Sequence, residues 1–126
     1  MSLPVLCAAG ALLLLAACEN RVNTTRQCLG GGNVTSTYTD YTFNIEQGPA
    51  VEVAGNCHVV LDHCTIHAPE GIRATENATV TVVGGTLIAR GAAVTASGNA
   101  KVSFEGTAVT GTIDRSGAAL VTGLAR

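Results

Sequence analysis

From Val51 to Val109 apolar and polar residues alternate in short stretches, each closed by a turn-forming pair. Ile72 and Ala74 alternate with Arg73 and Thr75 before Glu76-Asn77. Val80 and Val82 alternate with Thr79 and Thr81 before Gly84-Gly85, and Leu87 and Ala89 with Thr86 and Ile88. Period two marks strands with one buried face. The pattern also returns along the chain. Asn56, Asn77 and Asn99 are spaced by 21 and 22 residues, and their surroundings repeat with them. Three residues after each Asn stand Val59, Val80 and Val102; five after stand Leu61, Val82 and Phe104. Ten after stand Ile66, Leu87 and Val109, and five before stand Val51, Ile72 and Val94. The column through Ile66 extends back a further 21 residues to Ile45, with Phe43 two residues earlier.

Three strands and three turns in about 21 residues make one rung of a parallel β-helix, whereas helical repeat units need about 33 residues. The sequence predicts an all-β, single-stranded parallel β-helix over residues 34–126. It has three full rungs, near 51–68, 72–89 and 94–111, plus partial rungs at both ends. Val51, Val53, Val59, Leu61, Ile66, Ile72, Val80, Val82, Leu87, Val94, Val102, Phe104 and Val109 are the expected interior. Tyr41, Phe43 and Ile45 are the expected cap over the first complete rung. At each repeated turn an Asn can adopt a left-handed conformation at low cost and bond to the Asn above and below it. Asn56, Asn77 and Asn99 thus resemble the asparagine ladder of right-handed β-helices in the pectate-lyase class. The resemblance covers Ile45 to Gly111 and implies a right-handed coil.

The first residues differ in kind. Leu3 to Ala17 is an apolar run through Leu12-Leu13-Leu14-Leu15 that ends in small residues. It is short for a membrane span, which takes roughly 20 apolar residues, and reads as a signal peptide over 1–17. Leu15-Ala16-Ala17-Cys18 resembles the lipobox of bacterial lipoproteins at all four positions, although Met1-Ser2 lacks the basic residue usual before the apolar run. The resemblance implies cleavage before Cys18 and a palmitate-type lipid anchor on it. Glu19-Asn20 after the cysteine, in place of Asp, favours the outer membrane over the inner. Residues 18–33, polar and ending in Gly30-Gly31-Gly32, read as the lipidated N-terminus and a flexible tether.

Composition narrows the function. Charged residues are 13% of the 126, the formal net charge is -2, and Trp is absent. No basic patch is available to neutralise phosphates, so no nucleic-acid partner is expected. Few aromatic rings argue against a stacking platform for sugars. Export implies an oxidising compartment. Cys57 and Cys64 sit at opposite ends of one strand, too far apart to pair with each other. Cys28 can therefore bridge to Cys57 or to Cys64, or both can remain buried thiols.

His58, His63 and His67 fall in one rung beside those cysteines, residue types that suit zinc or copper. Their spacing matches no zinc pattern, and His58 and His67 should face outward on different faces. No metal or other cofactor is expected, with His63 and His67 the weak candidates. The outward columns Glu52-Arg73-Thr95 and Asp62-Val83-Glu105 place no two carboxylates on adjacent rungs, so no catalytic residue is assigned. The expected protein is a non-enzymatic scaffold or interaction module of the cell envelope. It would be held to the bilayer of the cell envelope through acylated Cys18, with an envelope protein or polysaccharide as partner. The alternatives are a carbohydrate-active or carbohydrate-binding β-helix protein, and metal binding by the His58/His63/His67 rung.

Overall fold

The computed structural model describes residues 20–30 and 32–124. The predicted signal peptide (1–17) and Cys18 lie outside the described residues. The fold is an all-β parallel solenoid of about five turns, without helix. The first turn holds β1 (Asn20–Val22), β2 (Arg26–Cys28) and β3 (Thr35–Thr39). The second holds β4 (Tyr41–Asn44), β5 (Pro49–Val53) and β6 (His58–Asp62), and the third β7 (Thr65–Ala68), β8 (Glu70–Ala74) and β9 (Thr79–Val83). In the fourth, β10 (Thr86–Ala96) runs round a corner before β11 (Lys101–Glu105); in the fifth, β12 (Ala108–Arg115) does the same before β13 (Leu120–Thr122). β10 therefore pairs with both β7 and β8, which joins two faces into one eight-stranded sheet. The third face is a five-stranded sheet in the order β13-β11-β9-β6-β3.

The apolar columns stack as the repeat requires. Val59 pairs with Val80 and Val80 with Val102; Leu61 pairs with Val82 and Val82 with Phe104. Ile66 lies over Leu87, which pairs with Val109, and Val51, Ile72 and Val94 follow one another. Every expected interior residue is buried except Val109, which is half-buried near the open end. Phe43, Leu61, Ile66, Ile72 and Leu87 are the largest fully buried side chains, each contributing about 1.5–3 kcal/mol by leaving water. Small residues line the corners. Cys57, Ala78, Ala100 and Ala119 form one buried file. At another corner Gly71 lies so near the Ala93 carbonyl that a Cβ there would come within 2.3 Å of it.

Several expectations need correction. The Ile66 column continues back to Phe43, not Ile45, because Phe43 pairs with Ile66 and Asn44 with His67. The cause is a corner of unequal length: Glu46-Gln47-Gly48 spans what Pro69 spans one turn later, so the register changes by two residues between Ile45 and Pro49. Tyr41 and Phe43 do not cap the coil: they lie in the second turn, paired with Asn20 and Val22 of the first, and pack with Tyr38, whose ring meets Tyr41 edge-on at 5.2 Å and Phe43 at 5.9 Å.

The coil also exceeds three full rungs. Residues 20–28, expected as tether, form β1 and β2 and pair with β4 and β5. Their inward positions carry little apolar signal. Arg26 heads the column of Val51 and Ser36 that of Val59; only Val22 in this turn is fully apolar and buried. Arg26 is exposed, and among the described residues no further turn pairs beyond it. At the opposite end Arg115 occupies the same kind of place, closing the inward column of Val53, Ala74 and Ala96.

Finally, the left-handed residue of each repeated turn precedes the Asn. Gly55, Glu76, Gly98 and Gly117 have φ of 69°, 61°, 68° and 65°, and the Asn that follows the first three has negative φ. With Cys57, Ala78 and Ala100 N–H groups donating back to Ala54, Thr75 and Ser97 carbonyls, each is a turn with positive φ at its first central residue, the type II′ pattern. The amide contact survives at one step: Asn99 donates to Asn77 Oδ1 at 3.4 Å. One step lower, Glu76 accepts from the Gly55 N–H at 2.7 Å.

Candidate functional site

The histidine rung disperses on folding. His58 lies on the five-stranded sheet, its Nε2 3.2 Å from Thr81 Oγ1 on the next turn. His63 stands at a corner with φ 55°, its Nδ1 on Asp62 Oδ1 and its ring against Gly84. His67 lies on another face, between Asn44 and Ile88 in register. Consecutive strand residues face opposite sides and the coil turns between these positions, so the three rings have no common focus. Among the described residues no group of three or more His, Cys, Asp or Glu is placed to hold a metal ion.

The cysteines separate into two roles. Cys28 is disulfide-bonded to Cys57, with 5.9 Å between Cα atoms. The bridge ties the end of β2 to the second turn's Asn corner. Cys64 is a buried free thiol. Its Sγ lies 3.3 Å from the Tyr38 carbonyl. Burial pushes the thiol pKa above its ordinary 9.0, so it is held protonated at neutral pH.

The outward columns are ordinary surface chemistry. Arg73 donates to both oxygens of Glu70 at 2.8 and 3.0 Å and lies 3.7 Å from Glu52, which accepts from Gln27 at 2.8 Å. Such part-exposed pairs contribute at most about 1 kcal/mol each. Asp62 and Glu105 are separated by Val83 in register, hence two strand spacings apart, roughly 9–10 Å. Asp62 is already engaged by His63.

A polar cleft of about 930 Å³ opens at the unequal corner, lined by residues including Asn23, Asn44, Glu46, Gln47, His67 and Arg90. Its walls come from four different turns: Asn23 between β1 and β2, Asn44 and the long corner from the second, His67 from the third, Arg90 from the fourth. Arg90 reaches down to donate to the Glu46 carbonyl at 3.3 Å, and Thr25 Oγ1 donates to the Pro49 carbonyl at 2.6 Å. The cleft offers amide, imidazole and guanidinium groups to a polar ligand. Sequence reading missed it because these residues are scattered over some 70 positions; the break in repeat length at Glu46–Gly48 was the available signal. Together these features define a small parallel β-solenoid with a polar corner cleft. No family model matches the chain, nor does any curated protein or solved structure.

Proposed function

We propose that this chain is an exported envelope lipoprotein, anchored through Cys18 and acting as a non-enzymatic scaffold or interaction module. Its coil would have the right-handed sense its repeat implies. The observation that carries the reading is the Cys28–Cys57 bridge. Such bonds persist in oxidising compartments and are rare in the cytosol, which agrees with an export signal ending in Leu15-Ala16-Ala17-Cys18. The rest of the molecule is built as a rigid display surface: hydrogen bonds run along the coil axis, and side chains alternate between a filled interior and an outer face. Metabolic labelling with a palmitate analogue tests the anchor. Label on the wild-type chain and none on Cys18→Ser is expected; an unlabelled wild-type chain that is nonetheless exported overturns it. Partners recovered from membranes by intact protein and absent from a Cys18→Ser control would support the module reading.

The corner cleft favours a second reading, binding of an envelope polysaccharide through hydroxyl contacts with Asn44, Gln47, His67 and Arg90. Cosedimentation with purified envelope polysaccharide, lost on Asn44→Ala with Arg90→Ala, is the expected result. Equal sedimentation of wild type and variant excludes the cleft as the site.

A further inference from the structure

The two ends of the solenoid are chemically unlike, and the difference lies where the chain leaves the described region. Residues 20–40, the first turn, carry Arg21 and Arg26 against one acid, Asp40 at its last corner, with Glu19 just before it in sequence. Residues 41–126 carry seven Asp or Glu against five Lys or Arg. Arg21 and Arg26 are both exposed, the latter at the end of its inward column among the described residues. The segment between β2 and β3 adds Leu29, 51% exposed, and Val34, 45% exposed. Exposed apolar side chains beside exposed arginines, on a turn with two cations against one acid, suit the boundary between phospholipid headgroups and water.

The length of the chain outside the described region supplies the second argument. On the anchor reading above, on which this inference rests, the acyl chains sit on Cys18 and β1 begins at Asn20. Two residues span at most about 7 Å, comparable to the roughly 5–7 Å depth of one headgroup layer. With residues 20–28 folded into the coil there is no tether to hold it away. We propose that the N-terminal end of the solenoid docks on the bilayer, with Arg21 and Arg26 among anionic phospholipid headgroups and Leu29 and Val34 at the acyl boundary. The coil then stands on its first turn, and the corner cleft, opening at the side of the lower turns, lies close to the membrane surface.

The test uses the full protein purified from bacterial membranes, its mass read first for acyl groups. Nitroxide labels go on Leu29→Cys and, separately, Leu120→Cys at the far end, both in a Cys64→Ala background. The labelled proteins are reconstituted in vesicles of equal parts phosphatidylglycerol and phosphatidylethanolamine. Collision with a water-soluble relaxant should be strongly reduced at position 29 and full at 120. Replacing both arginines (Arg21→Gln, Arg26→Gln) should restore access at 29 while the protein stays acylated. An acylated protein with position 29 as accessible as 120 overturns the docking and leaves the anchor standing. A mass without acyl groups refutes the anchor instead. Docking is then judged by flotation of that unacylated protein with the same vesicles, where each arginine should contribute roughly fivefold. Equal flotation of wild type and double variant overturns it.

Discussion

Removing the Cys28–Cys57 bridge should release the first turn and leave the rest of the coil folded. The sequence separation of 29 residues gives a loop-closure contribution of about 3.6 kcal/mol at 25 °C in the chain-entropy treatment. Little else holds residues 20–28. β1 and β2 each make three register pairs with the second turn, and Val22 is their one fully buried apolar side chain. Its burial contributes about 1.5–3 kcal/mol, less than the bridge itself. Solenoids lose stability turn by turn, because each turn touches only its neighbours. Native-state hydrogen exchange on Cys28→Ala with Cys57→Ala should therefore show protection in β1 and β2 falling by roughly two to three orders of magnitude. Protection in β8 and β9 should stay as it is. Equal loss across all turns, or unchanged protection in β1 and β2, would refute the reasoning.

Glu76 holds a left-handed backbone where the equivalent residues of three other turns are Gly. Glu76→Gly removes a strain of about 1–2 kcal/mol and a bond worth about 0.5–1.5 kcal/mol. Glu76→Ala loses the bond and keeps the strain, so urea melts should place it about 1 kcal/mol below Glu76→Gly. Leu61→Ala, at a fully buried position, should cost about 2–5 kcal/mol in the same assay; a loss under 1 kcal/mol would mean the file of side chains collapses to fill the gap. Cys64 sets an alkaline limit. Its pKa is raised on folding, so its contribution is intact below the unfolded value near 9.0 and is lost as pH rises through the folded one. Cys64→Ala should lose less stability than wild type between pH 8 and pH 11, and parallel curves would count against it.

The middle of the fold was legible because its turns keep nearly one length, so Val59, Val80 and Val102 declare their alignment by number alone. The first turn was hidden for a physical reason: Arg26 and Ser36 stand in inward positions, and among the described residues this turn pairs on one side only, so fewer apolar side chains are demanded there. Ile45 was misplaced because a corner can take extra residues without disturbing strand stacking, and Glu46–Gly48 does so. The asparagines marked the turns correctly, but the strained position belongs to the residue before them, which glycine fills most easily. Cys28 alone left its partner open; only the folded path brings it beside Cys57. The corner cleft could not be read from any one repeat, since four turns contribute to it.

Arg26 and Arg115 bear on what happens when two copies meet end to end. A parallel coil exposes unpaired backbone groups at both termini, a standing invitation to templated growth, and inward-pointing charge is one of the devices that refuses it. Here a guanidinium closes an apolar shaft at each extremity, so a second copy arriving in register would have to bury a cation without a counter-ion. In-register stacking of copies is thereby disfavoured at both described ends of the coil.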